Sequence, residues 1–130
     1  MTEIRPGMIL NVDDDAASRY AKSRILKRAG YQVVEAGLGT DALRLVKESE
    51  PHLVLLDVKL PDINGMDVCR KIKEDPRLKD VPVIFLTAKG GGDALAEGFE
   101  SGAVMYINKP FTANKLLTIV NTMLESGSNL

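Results

Sequence analysis

Five residues of this 130-residue chain have types and settings that could do chemistry together: Asp13, Asp14, Asp57, Thr87 and Lys109. Each follows a short apolar run. Ile9-Leu10-Asn11-Val12 precedes the two aspartates, and Leu53-Val54-Leu55-Leu56 precedes Asp57. Val83-Ile84-Phe85-Leu86 precedes Thr87, and Val104-Met105-Tyr106-Ile107-Asn108 precedes Lys109. Three carboxylates, a hydroxyl and an ammonium suit a divalent cation and a phosphoryl group. Adjacent carboxylates repel in low dielectric unless a cation joins them. Aspartate oxygens are the hard ligands that Mg²⁺ prefers, and Mn²⁺ accepts the same set. Asp57 is then a nucleophile toward phosphorus, giving an acyl phosphate. Such a transfer needs charge neutralisation more than covalent help, which the cation, Lys109 and Thr87 supply. Each residue alone has a blander reading: a strand-end Thr or Lys is usually solvated, and an Asp cluster usually caps a helix. Asp15 is the expected cap, which leaves Asp13 and Asp14 for the ion.

These residues meet only if the runs are parallel strands, whose C-terminal ends open onto one edge. The pattern supports that. Short Val/Ile/Leu-rich runs near 8–13, 31–36, 52–57, 81–87 and 104–108 alternate with amphipathic stretches near 16–29, 38–49, 63–74, 92–101 and 112–125. That is the alternation of a parallel α/β sheet, and unbroken apolar strands imply helices on both faces. Gly30 is placed to end the first helix and Pro51 to stop the second. Thr112 is placed to cap the last, though Lys115 leaves the capping box incomplete. Gly90-Gly91-Gly92 and Gly98 weaken the stretch at 92–101, since each interior glycine costs about 1 kcal/mol against Ala. The tail over 126–130 has nothing to bury and is expected to fray. Lys109-Pro110 is either a cis bond that turns the lysine back across the sheet edge or a trans helix start.

Bulk properties narrow the function classes. The length fits one domain with a real core. Apolar residues make up 45% and charged residues 27%, an ordinary globular balance. With 17 basic and 18 acidic residues the net charge is -1, so no positive field invites nucleic acid or a membrane. No apolar run reaches the roughly 20 residues of a membrane span, and no secretory pattern opens the chain, so the expected location is the cytoplasm. The single cysteine, Cys69, rules out an internal disulfide and Cys-rich metal sites. The single histidine, His52, argues against zinc and Ser-His-Asp machinery.

Ile9-Leu10-Asn11-Val12-Asp13-Asp14-Asp15, Leu53 through Gly65 around Asp57, Phe85-Leu86-Thr87-Ala88-Lys89 and Tyr106-Ile107-Asn108-Lys109-Pro110-Phe111 together resemble the receiver domain of two-component response regulators. The likeness covers about residues 7 to 124 of one domain spanning 1–130. It implies a flavodoxin-like, doubly wound sheet of five parallel strands in the order 2-1-3-4-5, flanked by five helices. It implies that Asp57 is phosphorylated from a phosphohistidine on a sensor histidine kinase or a histidine phosphotransfer protein. Asp14, Asp57 and the Lys59 backbone carbonyl would hold Mg²⁺, with Asp13 acting through a water. Thr87, Ala88 and Lys109 would contact the phosphoryl group. Tyr106 would be the aromatic switch, and the face of the fourth helix, fifth strand and fifth helix the output surface. The resemblance also favours a cis Lys109-Pro110 bond and a regulator that is not a turnover enzyme. The expected partners are that histidine donor and an output protein, with no direct nucleic acid and no membrane.

Several residues depart from a plain version of the pattern. Asn11 interrupts an aliphatic strand and needs a bonded amide. Lys59 and Lys89, each two residues past a site residue, are placed to shield an acyl phosphate from water, or else are simply solvated. A haloacid-dehalogenase-type phosphatase would need an Asp-x-Asp-x-Thr pattern, but Asp13-Asp14-Asp15-Ala16-Ala17 lacks the threonine. A flavodoxin proper would need hydroxyls where this chain has acids.

Overall fold

The structure, a computed structural model of the chain, describes residues 7–87, 102–103 and 105–128, the last three as backbone alone. Five strands, β1 (Met8–Val12), β2 (Gln32–Ala36), β3 (Leu53–Asp57), β4 (Val83–Thr87) and β5 (Met105–Asn108), form one parallel sheet in the order β2-β1-β3-β4-β5. That is the expected order. Among the described residues there are four helices: α1 (Ala16–Arg28), α2 (Gly39–Ser49), α3 (Gly65–Glu74) and α4 (Ala113–Ser128). Four of the five expected flanking helices fall within the described residues. The stretch at 92–101, together with Ala88 and Lys89, lies outside the described residues.

Every residue of β3 and β4 is buried, because successive side chains point to opposite faces and both faces are covered. Ile9, Leu53, Leu55, Ile84, Leu86 and Ile107 pack with Leu26 of α1 and with Leu116 and Val120 of α4. Leu10, Val12, Val54, Leu56, Val83 and Phe85 pack with Ala42 and Val46 of α2 and with Val68 and Ile72 of α3.

The helix ends follow local chemistry. Asp15 caps α1 by accepting from the Ser18 N–H at 2.9 Å. Gly30, at φ 101°, turns the chain out, and the Tyr31 N–H closes on the Leu26 carbonyl at 3.1 Å. Asn64 caps α3 through the Met66 N–H at 2.8 Å, and Thr112 caps α4 through the Lys115 N–H at 3.0 Å. The backbone of α4 stays helical to Ser128, past the end expected at 125. No helix among the described residues is long and apolar enough to cross a membrane.

The first turn of α2 has no cap from its own chain neighbours. Asp62, in the loop after β3, takes that role from across the fold. Its carboxylate accepts from the Gly39 N–H at 2.8 Å and the Thr40 N–H at 3.0 Å. Those bonds, Thr40 first and Gly39 second, bring its pKa down to about 2. A depressed carboxyl contributes stability above its unfolded pKa and loses it as the pH falls through the folded one. Asp62→Ala is therefore expected to be less stable than the unaltered protein in denaturant titrations at neutral pH. The gap should close between the ordinary 3.8 and about 2.

Candidate functional site

The parallel register sets the strand ends side by side. Val12 lies beside Leu56, Asp57 beside Leu86, and Thr87 beside Asn108. Asp13 and Asp14 follow β1, Asp57 closes β3, Thr87 closes β4 and Lys109 follows β5, so all five expected residues stand at one edge. The Lys109 N–H bonds the Thr87 carbonyl at 2.8 Å, and the Lys109-Pro110 bond is cis.

Asp57 is buried at the centre of that edge. Its Oδ2 accepts from Lys109 Nζ at 3.1 Å and its Oδ1 from the Lys59 backbone N–H at 3.2 Å. Burial raises the Asp57 carboxyl above its ordinary value, and the Lys109 ammonium offsets only part of that rise. Gly65 makes the loop possible: a Cβ there would overlap the Asp57 carbonyl oxygen, and its N–H bonds the Val58 carbonyl at 2.9 Å. Thr87 is buried beside this loop, whereas Lys59 is exposed. Tyr106 is half-buried, with its ring centroid 5.4 Å from that of Phe85.

One carboxylate oxygen from each of Asp13, Asp14 and Asp57 lies within 4.8 Å of the others. Asp13 and Asp57 are buried and Asp14 is exposed. Hard oxygen donors with one side open to water fit a small divalent cation that keeps part of its hydration. His52 stands at the other end of β3, where its Nδ1 accepts from the Met8 N–H at 3.0 Å.

Sequence reasoning missed Lys22. It is among the largest fully buried side chains of the described residues, and its ammonium sits 2.9 Å from Asp13 Oδ2. Asp13 Oδ1 accepts from the Asp15 N–H at 3.0 Å. Burial alone would raise the Asp13 carboxyl, but Lys22 and that N–H hold it below the usual range. One turn along α1, Asn11 donates to Ser23 Oγ and to the Arg19 carbonyl, both at 2.9 Å. A polar seam thus runs between β1 and α1. The signal was present in the sequence: Lys22 lies four residues before Leu26, on the stripe of α1 that faces the sheet.

Residues 9–121 match the family model of the response regulator receiver domain. The chain belongs to that family. This receiver domain is 43% identical over 121 residues to the DNA-binding response regulator MtrA of Mycolicibacterium paratuberculosis, covering 93% of the chain and 52% of the relative. It is 39% identical over 117 residues to the DNA-binding dual master transcriptional regulator RpaA of Synechocystis, covering 90% and 48%. Among solved structures, a CheY-like response regulator receiver domain protein of Methanospirillum hungatei superposes with a TM-score of 0.90 at 27% identity, covering 96% of this chain and 98% of that one. The chain spans about half the length of the curated relatives it matches. Both relatives are described as regulators.

One expectation is overturned. Net charge argued against any direct contact with nucleic acid, yet MtrA and RpaA are described as DNA-binding. The balance of charge over these 130 residues speaks only for the stretch it covers, about half of each relative.

Because Lys109 lowers the Asp57 carboxyl, Lys109→Met is expected to raise the pH at which that carboxyl titrates. A ¹³C NMR titration of the Asp57 side chain reads the shift directly. An unmoved midpoint would show that the ion pair does not hold in solution.

Proposed function

We propose that this chain is a single receiver domain, core about 7–124, that takes a phosphoryl group onto Asp57. The donor is a phosphohistidine on a sensor histidine kinase or a histidine phosphotransfer protein. The observation that carries this reading is the Lys109 ammonium on Asp57, whose carboxylate lies within 4.8 Å of those of Asp13 and Asp14.

Asp57 attacks phosphorus through a carboxylate oxygen. An O–P bond forms, the P–N bond to the donor imidazole breaks, and the imidazole leaves with the bonding pair. Lys109 and Thr87 neutralise and bond the transferred oxygens, with Ala88 contributing beside them. Mg²⁺ or Mn²⁺, held by Asp14, Asp57 and the Lys59 carbonyl and by Asp13 through a water, would supply the remaining charge neutralisation. Drawing Thr87 toward the phosphoryl group opens space for the Tyr106 ring. The change biases two packings of the surface formed by β5, α4 and the expected helix at 92–101, which is a population shift rather than a rigid switch. Slow autodephosphorylation resets the domain in the cytoplasm. The descriptions of MtrA and RpaA make a DNA-binding module the output proposed for that surface.

Incubation with Mg²⁺ and acetyl phosphate is expected to add the mass of one phosphoryl group, and Asp57→Asn is expected to abolish the gain. A folded, metal-loaded protein that gains no mass would contradict the reading. The decay of that mass after donor removal tests the shielding assigned to Lys59 and Lys89. Replacing both with Ala should speed the loss, and an unchanged rate would reduce them to solvated surface residues.

A further inference from the structure

We propose that Lys22 is a built-in counter-cation that competes with the divalent ion for Asp13, and so sets the metal affinity of this domain below what its three carboxylates would otherwise give. The inference rests on reading Asp13, Asp14 and Asp57 as a cation site, and it adds a regulator to that site.

The geometry is restrictive. The Lys22 and Asp13 side chains are 2% and 1% exposed, with Nζ and Oδ2 2.9 Å apart. Neither atom has a further hydrogen-bond partner among the described residues. The second oxygen of Asp13 is bonded to the Asp15 N–H at 3.0 Å, so both oxygens of this carboxylate are already engaged. The same carboxylate lies within 4.8 Å of the oxygens of Asp14 and Asp57. A divalent ion placed among the three would draw on a charge that Lys22 already balances, and would sit close to a like charge.

Lys22 has little room to yield. Its stem is packed in the seam between α1 and β1, beside the Asn11–Ser23 hydrogen bond. At short range and away from water the repulsion between two cations is only weakly screened. The ion must therefore share Asp13 with Lys22 or leave a buried ammonium uncompensated, and a buried charge without its partner is strongly disfavoured. On the other side of the three carboxylates, Lys109 bonds Asp57 from a more open position, its side chain 30% exposed. Of the two ammonium groups, the inner one is the one that cannot retreat into solvent. A domain built this way loads metal only at a higher free concentration, which makes its readiness for phosphorylation sensitive to that concentration.

The test is calorimetric titration of MgCl₂ alone into the unaltered chain, Lys22→Met and Lys22→Gln. Met removes the charge and keeps most of the buried stem. Gln also removes the charge but retains an amide donor for Asp13, so it carries the experiment if the Met variant does not fold. The expected result is a Kd for Mg²⁺ lower by about ten-fold or more in the neutral variants, given the strength of charge interactions at this range. On the unaltered chain, the Lys22 ε-methylene and Nζ signals should shift saturably with added Mg²⁺, with the same Kd. Equal or weaker binding in the neutral variants, with Mg²⁺ still binding the unaltered chain, would overturn the role given to Lys22 and leave the cation site intact. A Lys22 signal indifferent to bound Mg²⁺ would do the same. No binding to any of the proteins would overturn both.

Discussion

The constraint on which this structure depends is the crowding of three carboxylates at the C-terminal edge of a parallel sheet. Asp13, Asp14 and Asp57 are brought there by pairing of β1 with β3, not by any local attraction. Left alone they would repel. The protein answers from two sides: Lys109 reaches Asp57 from beyond β5, and Lys22 reaches Asp13 from inside α1. The two aspartates consequently diverge. Lys22 and a backbone N–H hold the Asp13 carboxyl low, whereas burial keeps that of Asp57 high. The two carboxyls of one edge thus sit in opposite electrostatic settings.

The surrounding scaffold serves this edge. Fully buried β3 and β4 leave Asp57 and Thr87 little freedom in position. Gly65 lets α3 begin against the carbonyl of Asp57, and Asp62 ties the same loop to the first turn of α2. A change in bonding at Asp57 is thereby linked to at least two helices through short, directed contacts. On the other flank, the Thr87 carbonyl receives the Lys109 N–H, and Tyr106 packs on Phe85. These contacts are the route we propose for a signal from Asp57 to β5.

Much of this was legible in the sequence because it is written in strong local patterns. Uninterrupted apolar runs marked the strands, and Asp15, Gly30 and Thr112 marked helix ends by types that the backbone demands there. The five edge residues were legible because each stood just past such a run. Lys22 was only half legible: its spacing from Leu26 sets it on the inward stripe of α1, but a lysine in a helix is ordinarily solvated, and the packing of α1 on β1 is what buries its ammonium. Asn11 was visible as an anomaly, but its partners Ser23 and Arg19 were not, since they depend on the rotation of α1 about its axis. Asp62 was hidden for the same reason: its role is tertiary, capping a helix that lies earlier in the chain. The nucleic-acid expectation failed differently, because charge counted over one stretch says nothing of what lies beyond it.

These converging side chains are proposed to make Asp57, and no other residue, the phosphate carrier. Reductive trapping tests this most directly. The protein is phosphorylated in the presence of Mg²⁺, the acyl phosphate is reduced with borohydride, and the modified position is located by peptide sequencing. Homoserine is expected at position 57 alone. Conversion at Asp13 or Asp14 instead, or phosphate retained on a residue that borohydride leaves unchanged, would contradict the proposal.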